Sequence, residues 1–170
     1  FNSYDESKSK NSKFMVNENK YFDEIAMNNT TINPEITLTD INGDSIKLGN
    51  LVNNGNKLIF KYNGEACTSC IKREINSLKK YSEIIGSDNI YLLAYHDLSR
   101  DLAISIKSNK IDFDNAYLLP RNELGIPREE KYKSLLFILD STLTTKNTFI
   151  PVTKNPKLSD KYYSLIKNKF

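Results

Sequence analysis

The 170-residue sequence contains no Trp, a single His, two Cys and no long apolar run. Without such a run, no segment of it is a candidate transmembrane helix. Cys67 and Cys70 are near neighbours, and a disulfide that closes so short a loop restricts the unfolded chain little, which argues against a disulfide scaffold. A structural zinc site usually needs four ligands, and the two Cys with His96 supply three. The cysteine pair therefore indicates redox chemistry, with metal binding as the alternative.

Charge of neither sign dominates, because 24 Lys and Arg face 21 Asp and Glu, for a formal net charge of +3 at pH 7. The lysines are scattered along the whole chain rather than clustered. Nucleic-acid binding would call for basic residues gathered on one face with aromatic residues among them. The composition therefore indicates an ordinary solvated surface, and we expect no nucleic-acid partner.

The most informative stretch is the apolar run Leu58-Ile59-Phe60, which is followed by a polar turn and then by Cys67 and Cys70. A segment with helical spacing comes next and runs to about Ile85. A buried strand would thus deliver two thiols to the start of a helix, one turn apart and close enough to bond to each other. Aligned backbone N–H groups at a helix start favour a thiolate. This is the arrangement that a dithiol–disulfide redox site needs.

Three regions are predicted along the chain. Residues 1–13 are rich in Ser, Asn, Lys and acidic residues, which predicts a disordered leader or tether. Residues 14–33 form an N-terminal extension, in which Tyr21, Phe22, Ile25 and Ala26 suit one face of a short helix. Residues 34–170 form the main domain.

The main domain begins with a β-hairpin and continues with alternating strands and helices. Apolar and polar residues alternate over residues 36–48, on either side of the turn pair Asn42-Gly43. Apolar runs predict further strands over residues 58–60, 90–95, 116–119 and 134–140. Helices are predicted after the cysteines, over residues 98–108, and at the C-terminus, where Ser159 would cap a helix whose Tyr162, Leu165, Ile166 and Phe170 face inward. Because residues 143–150 would pair back onto the last strand, the pattern indicates an α/β fold with a central mixed β-sheet flanked by helices.

The order of these motifs is more specific than any one of them. The hairpin I-T-L-T-D-I-N-G-D-S-I-K-L precedes a strand and a C-x-x-C at a helix start, and L-L-F-I-L-D with a second hairpin comes late in the chain. From Pro34 to Phe170 the sequence resembles the extracytoplasmic thiol–disulfide oxidoreductases of the TlpA/ResA type, which are thioredoxin-like proteins of the redoxin superfamily. The resemblance implies a thioredoxin-like fold over residues 34–170, with the N-terminal hairpin as an extension of the sheet.

The resemblance also implies an activity and a setting. Cys67 would be the attacking thiol and Cys70 the resolving thiol, so that a redox-active Cys67–Cys70 disulfide would be needed and no other cofactor. The partners would be a protein substrate with a disulfide or thiols and an upstream electron donor. The expected location is the extracytoplasmic side of a bacterial membrane, periplasmic or outer-surface, with a lipid or membrane anchor attached through an N-terminal segment.

At three positions the sequence departs from the pattern of this family. Ala66 stands where a Trp usually precedes the first Cys, and Ser134 stands where a cis-Pro usually lies opposite the cysteines. A non-Pro residue needs about 2.5–4 kcal/mol to hold a cis bond, so we expect a trans peptide before Ser134. Lys61 occupies a strand position that often holds a buried, proton-shuttling acid. Its ammonium would either lower the pKa of the Cys67 thiol, or reach solvent or pair with Glu65.

Several alternatives remain open. Glu65 could raise the pKa of the thiol or shuttle protons, or be a solvated loop carboxylate. The Thr68-Ser69 insert carries no positive charge, which favours a reductase or exchange role over a strongly oxidising one. A non-catalytic accessory protein with a structural disulfide, and a metal carrier that uses Cys67, Cys70 and His96, are the alternative functions. A peroxidase would need a Thr where Gly64 stands, three residues before the attacking Cys, and is rejected.

Overall fold

The computed structural model describes residues 19–53, 55–95, 115–121, 124–152 and 154–170. Three α-helices and seven β-strands are present in this part of the chain. In chain order they are α1 (residues 19–27), β1 (Thr37–Thr39), β2 (Ser45–Lys47), β3 (Lys57–Asn63), α2 (Thr68–Ile85), β4 (Ile90–Tyr95), β5 (Ala116–Leu118), β6 (Ser134–Leu139), β7 (Thr145–Phe149) and α3 (Lys157–Ile166). Short 3₁₀ helices cover Leu48–Val52, Ser87–Asn89 and Glu129–Lys131. The predicted helix over residues 98–108 lies outside the described residues.

The strands form one mixed sheet in the order β2-β1-β5-β4-β3-β6-β7. The pairs β3–β4 and β4–β5 are parallel, whereas β1–β5, β3–β6 and β6–β7 are antiparallel. Strands β1 and β2 form the hairpin that the alternation around Asn42-Gly43 predicts, and this hairpin joins the sheet through β5. Gly43 has φ of +93°, a conformation that costs Gly little and other residues more. The predicted α/β fold with a mixed sheet and an N-terminal hairpin is confirmed.

Strand β3 lies inside the sheet, between β4 and β6, and all seven of its residues are buried. Successive side chains of a strand point to opposite faces of the sheet. Phe60 and Tyr62 pack with α2 and α3 in one core cluster, whereas Ile59 packs in a second cluster that includes Met27 of α1. The sheet is therefore covered on both faces, and the C-terminal end of β3 leads directly to the cysteines at the start of α2.

The predicted N-terminal helix is present as α1, and the apolar residues that suit one of its faces are exposed rather than packed against the core. Tyr21, Phe22 and Ile25 are 60%, 60% and 51% exposed, while Asp23 and Met27 are buried. The helix is turned this way because the Asp23 carboxylate accepts hydrogen bonds from Arg128, Lys131 and Tyr132. Those three donors lie in one short stretch just before β6, so α1 is fastened to the segment that leads into that strand. The predicted leader, residues 1–13, lies outside the described residues.

The C-terminal helix was predicted correctly as an element and in two of its inward-facing residues. Tyr162 and Ile166 are buried and Phe170 is partly buried, but Leu165 is 78% exposed. Tyr163 is buried in its place. Ser159 does not cap α3, because the helix already begins at Lys157 and the Ser159 hydroxyl donates a hydrogen bond to Glu74 of α2. The helix is thus rotated so that Ser159 and Tyr163, one turn apart, face α2.

Candidate functional site

A disulfide between Cys67 and Cys70 lies at the start of α2. Cys67 is the N-cap residue of the helix, and its carbonyl accepts hydrogen bonds from the N–H groups of Cys70 at 2.9 Å and Ile71 at 3.0 Å. This first helical turn holds the two Cα atoms 5.2 Å apart, inside the range that a disulfide needs. Cys67 is exposed and Cys70 is half-buried. An attacking sulfur from another molecule would therefore reach Cys67 first.

The surroundings of Cys67 favour a thiolate once the disulfide is reduced. Cys67 lies at the N-terminus of the 18-residue helix α2, where free backbone N–H groups favour negative charge, and the first turn of the helix has no acidic residue. The Ser69 hydroxyl lies 3.1 Å from Cys67 Sγ and can donate a hydrogen bond to a thiolate there. Both features stabilise negative charge on a sulfur at this position.

Backbone hydrogen bonds hold the loop between β3 and α2 on both sides. The Gly64 N–H donates to the Tyr95 carbonyl at 2.9 Å, and the Asn63 N–H donates to the Lys133 carbonyl at 3.0 Å. The Ala66 N–H donates back to the Asn63 carbonyl at 3.0 Å. The cysteines are therefore tied to β4 on one side and to the residue before β6 on the other, which keeps the site rigid relative to the sheet.

A cavity of about 240 Å³ adjoins the disulfide. It is lined by residues from β3, the loop, α2 and the segments that enter β6 and leave β7: Phe60, Glu65, Ala66, Cys67, Cys70, Ile71, Arg73, Glu74, Lys133, Ser134 and Pro151. Five of the residues singled out from the sequence thus come together here: Cys67, Cys70, Glu65, Ala66 and Ser134. Ser134 pairs in register with Tyr62, and the described residues contain no cis peptide, so the expected trans bond before Ser134 is what the structure has.

Lys61 is not among the residues that line this cavity. Its ammonium lies 2.8 Å from the Glu129 carboxylate, and both side chains are almost fully buried. The expectation that Lys61 reaches solvent or pairs with Glu65 was therefore wrong. The physical reason is the pleat of β3, which places Lys61 on the face of the sheet shared with Ile59. Whether its charge tunes the thiol stays a prediction.

The Glu129 carboxylate also accepts hydrogen bonds from the loop that precedes it. Its Oε1 accepts hydrogen bonds from three consecutive N–H groups, those of Leu124, Gly125 and Ile126, at 2.6, 2.8 and 3.0 Å. Its Oε2 is the oxygen that faces Lys61. One buried carboxylate therefore joins the loop before the 3₁₀ helix to strand β3.

Glu65 lies at the exposed rim of the cavity and forms an ion pair with Lys133, 3.3 Å away. The two side chains are 76% and 60% exposed, and such pairs contribute only about 0–1 kcal/mol. The pair nonetheless spans the cavity mouth from the C-x-x-C loop to the residue before Ser134. This exposure supports the interpretation of Glu65 as a solvated loop carboxylate.

Sequence reasoning missed Glu74, a buried carboxyl group on α2 that lines the same cavity. Its Oε1 accepts a hydrogen bond from the Tyr163 hydroxyl at 2.5 Å and its Oε2 accepts one from Ser159 at 3.1 Å. Burial raises the pKa of Glu74, and the two hydroxyls only partly oppose that rise. A signal was available, because Glu74 follows Cys70 by four residues and sits between the apolar positions Ile71 and Ile75.

The metal-carrier alternative depends on His96, which lies outside the described residues. Within the parts of the chain that the structure describes, His, Cys, Asp and Glu form no group of three or more that could hold a metal ion.

No protein-family model matches the sequence, and no curated protein matches it. Solved structures do match. The peroxidoxin BcpB from Mycobacterium tuberculosis is 15% identical with a TM-score of 0.58, and the match covers 82% of this chain and 96% of that one. A thiol:disulfide interchange protein from Bacteroides sp. is 17% identical with a TM-score of 0.57, covering 83% and 90%. The thioredoxin domain of a thiol-disulfide oxidoreductase from Bacteroides vulgatus is 14% identical with a TM-score of 0.56, covering 79% and 97%. The chain therefore has a thioredoxin-like fold with a C-x-x-C disulfide, and its structural neighbours include thiol–disulfide oxidoreductases.

Proposed function

We propose that the chain is a thiol–disulfide oxidoreductase that acts on protein disulfides, as a reductase or exchange enzyme. The observation that carries the proposal is the asymmetry of the cysteine pair. Cys67 is exposed at the N-terminus of an 18-residue helix, and Cys70 is half-buried one turn further along. An exposed sulfur that is stabilised as a thiolate is suited to attack, and a shielded neighbour within bonding distance is suited to resolve.

The reaction follows from these positions. In the dithiol form, the Cys67 thiolate attacks one sulfur of the substrate disulfide, and a mixed disulfide forms as the first substrate thiolate leaves. Cys70, as a thiolate, then attacks Cys67 Sγ and expels the second substrate thiolate. Two electrons have passed to the substrate, and the Cys67–Cys70 disulfide remains. A dithiol donor must reduce that disulfide before the next turnover.

The partners and the location belong to the same proposal. The substrate would be a protein that carries a disulfide or thiols, and an upstream dithiol protein would supply the electrons. The resemblance to the TlpA/ResA type supports an extracytoplasmic location, with a lipid or membrane anchor on the N-terminal side. Among the described helices, none has the length and apolarity that crossing a bilayer requires.

Trapping the mixed disulfide tests the proposal. With Cys70→Ala, the first attack can occur but resolution cannot, so a disulfide-bonded protein substrate such as insulin should remain attached to Cys67. Mass spectrometry would identify the adduct, and the wild-type protein should reduce the same substrate when dithiothreitol recycles it. The matched control is Cys67→Ala, which should trap nothing because Cys70 is half-buried. Absence of both the adduct and the reductase activity would overturn the proposal.

A non-catalytic accessory protein is the second candidate, and one observation favours it. Ala66 and Ser134, two of the departures from the family pattern, both line the cavity beside the disulfide. If those changes have removed turnover, Cys67–Cys70 would be a structural disulfide. The reduction potential of the pair separates the two candidates.

A further inference from the structure

A buried carboxyl group adjoins the proposed dithiol. Glu74 is 3% exposed and lines the cavity of about 240 Å³ that Cys67 and Cys70 also line. Residues four apart on a helix lie one above the other on the same face, so Glu74 lies directly beyond Cys70 on α2. A liquid water molecule takes up about 30 Å³, so the cavity has room for water between the thiol and the carboxyl group.

Two hydroxyl groups of α3 hold the Glu74 carboxyl in place. The Tyr163 hydroxyl donates to Oε1 at 2.5 Å and the Ser159 hydroxyl donates to Oε2 at 3.1 Å. Arg73 and Asp160 act on it through their charges, in opposite directions, and the ion pair of Glu65 with Lys133 lies at the cavity mouth. Burial outweighs these groups and raises the pKa of Glu74, towards the pH at which such proteins work. A base is most effective when its pKa lies near the working pH.

Two other charged groups near the site, Lys61 and Glu65, have partners of their own. Lys61, on β3, lies 2.8 Å from the Glu129 carboxylate and does not line the cavity. Glu65 lines the cavity, but it is exposed and paired with Lys133. Among the described residues that line the cavity, Glu74 is the one buried carboxyl group.

We infer that Glu74 is the group that takes the proton from Cys70 during resolution and returns it when the pair is reduced. This inference rests on the proposed dithiol exchange. Once Cys67 has formed the mixed disulfide, the Cys70 S–H gives its proton to the Glu74 carboxylate, directly or through water in the cavity. The Cys70 thiolate attacks Cys67 Sγ, the bond between Cys67 and the substrate breaks, and the electron pair leaves on the substrate sulfur. Glu74 is left protonated. It returns that proton to the Cys70 sulfur when the electron donor reduces the Cys67–Cys70 disulfide.

The test separates the two chemical steps. When the reduced protein reacts with dithionitrobenzoate, attack by Cys67 releases the first thionitrobenzoate and resolution by Cys70 releases the second. Glu74→Gln keeps the size and hydrogen-bonding capacity of the side chain but cannot take a proton. It should leave the first release unchanged and slow the second about 100-fold at neutral pH, since general base catalysis contributes about 10²–10⁴-fold. The slow release should then speed up about tenfold per pH unit until the thiol itself ionises.

The matched control is Glu83→Gln, an exposed glutamate on the same helix, which should leave both releases unchanged. A second measurement uses the wild-type protein, so it does not depend on how well the variant folds. Carbon-13 NMR should find a higher Glu74 carboxyl pKa in the dithiol form than in the disulfide form. The reason is that the thiolate of Cys67, which exists only in the dithiol form, repels the Glu74 carboxylate. An unchanged second release in Glu74→Gln, or an identical pKa in the two redox forms, would overturn the inference. A wild-type protein that shows no second release would instead contradict the proposed function, whatever the NMR result.

Discussion

Breaking the buried ion pair between Lys61 and Glu129 should destabilise the fold much more than removing both charges together. The side chains are 4% and 2% exposed and their charged atoms are 2.8 Å apart. Removal of one partner leaves the other charge buried without its counterion, which typically costs about 3–5 kcal/mol. We therefore expect Lys61→Met and Glu129→Gln each to lower the free energy of unfolding by about 3–5 kcal/mol.

The double variant Lys61→Met/Glu129→Gln tests whether the two charges depend on each other. The Gln side chain can still accept the three N–H bonds of Leu124, Gly125 and Ile126 that Glu129 Oε1 accepts now. The Met side chain replaces the aliphatic stem of Lys61 without its charge. Because no unpaired charge remains, the double variant should be less destabilised than either single variant, with a coupling energy of at least about 2 kcal/mol.

Urea unfolding followed by circular dichroism measures these differences through the midpoint and the slope of the transition. Glu65→Gln is the matched control, because its ion pair with Lys133 is exposed and should contribute less than about 1 kcal/mol. Single variants that each cost less than about 1 kcal/mol, with an additive double variant, would refute the view that this pair is buried and interdependent.

Three further predictions concern the N-terminal helix and the cysteines. Asp23→Asn should lower stability at neutral pH by about 1 kcal/mol, since the cations that face Asp23 are half-exposed and screened by water. Hydrogen bonds from Arg128 and Tyr132 lower the pKa of Asp23 from 3.8 to about 2. The stabilisation by Asp23 should therefore be complete above the pKa of the unfolded chain and be lost as the pH falls towards about 2. Acid titration followed by circular dichroism would detect this, and a stability difference between wild type and Asp23→Asn that does not change with pH would contradict it. Met27→Ala should lower the free energy of unfolding by about 2–5 kcal/mol in urea, whereas a change below about 1 kcal/mol would mean that α1 packs only loosely. In the reduced protein, iodoacetamide should alkylate Cys67 before Cys70, as judged by peptide mass spectrometry; equal rates would contradict the exposure difference.

Much of the fold follows from local patterns in the sequence. The run Leu58-Ile59-Phe60 predicts a strand buried on both faces, and β3 is a fully buried interior strand between β4 and β6. The spacing of Cys67 and Cys70 before an amphipathic segment predicts a dithiol at a helix start, which is where the disulfide lies. These features depend on neighbouring residues, and such patterns can be read without knowing the tertiary structure.

The parts that failed depend on residues distant in sequence. The inward face of α1 is decided by Asp23, whose partners lie more than 100 residues later. Lys61 is paired with Glu129, which no spacing rule connects to β3. Glu74 was not singled out, because Ser159 and Tyr163, the residues that hold it, come from the other end of the chain. Buried charged side chains on α1, β3 and α2 thus have partners that the sequence could not identify.

The reduction potential of the Cys67–Cys70 pair is the measurement that tests the proposed function most directly. It is obtained by equilibrating the protein with dithiothreitol or glutathione buffers of known potential and counting free thiols by mass spectrometry after alkylation. A thiol–disulfide oxidoreductase of the reductase or exchange kind should have a potential near that of thioredoxin, about −270 mV. A value below about −300 mV, with slow reduction by thiols, would mean a structural disulfide and contradict the proposal.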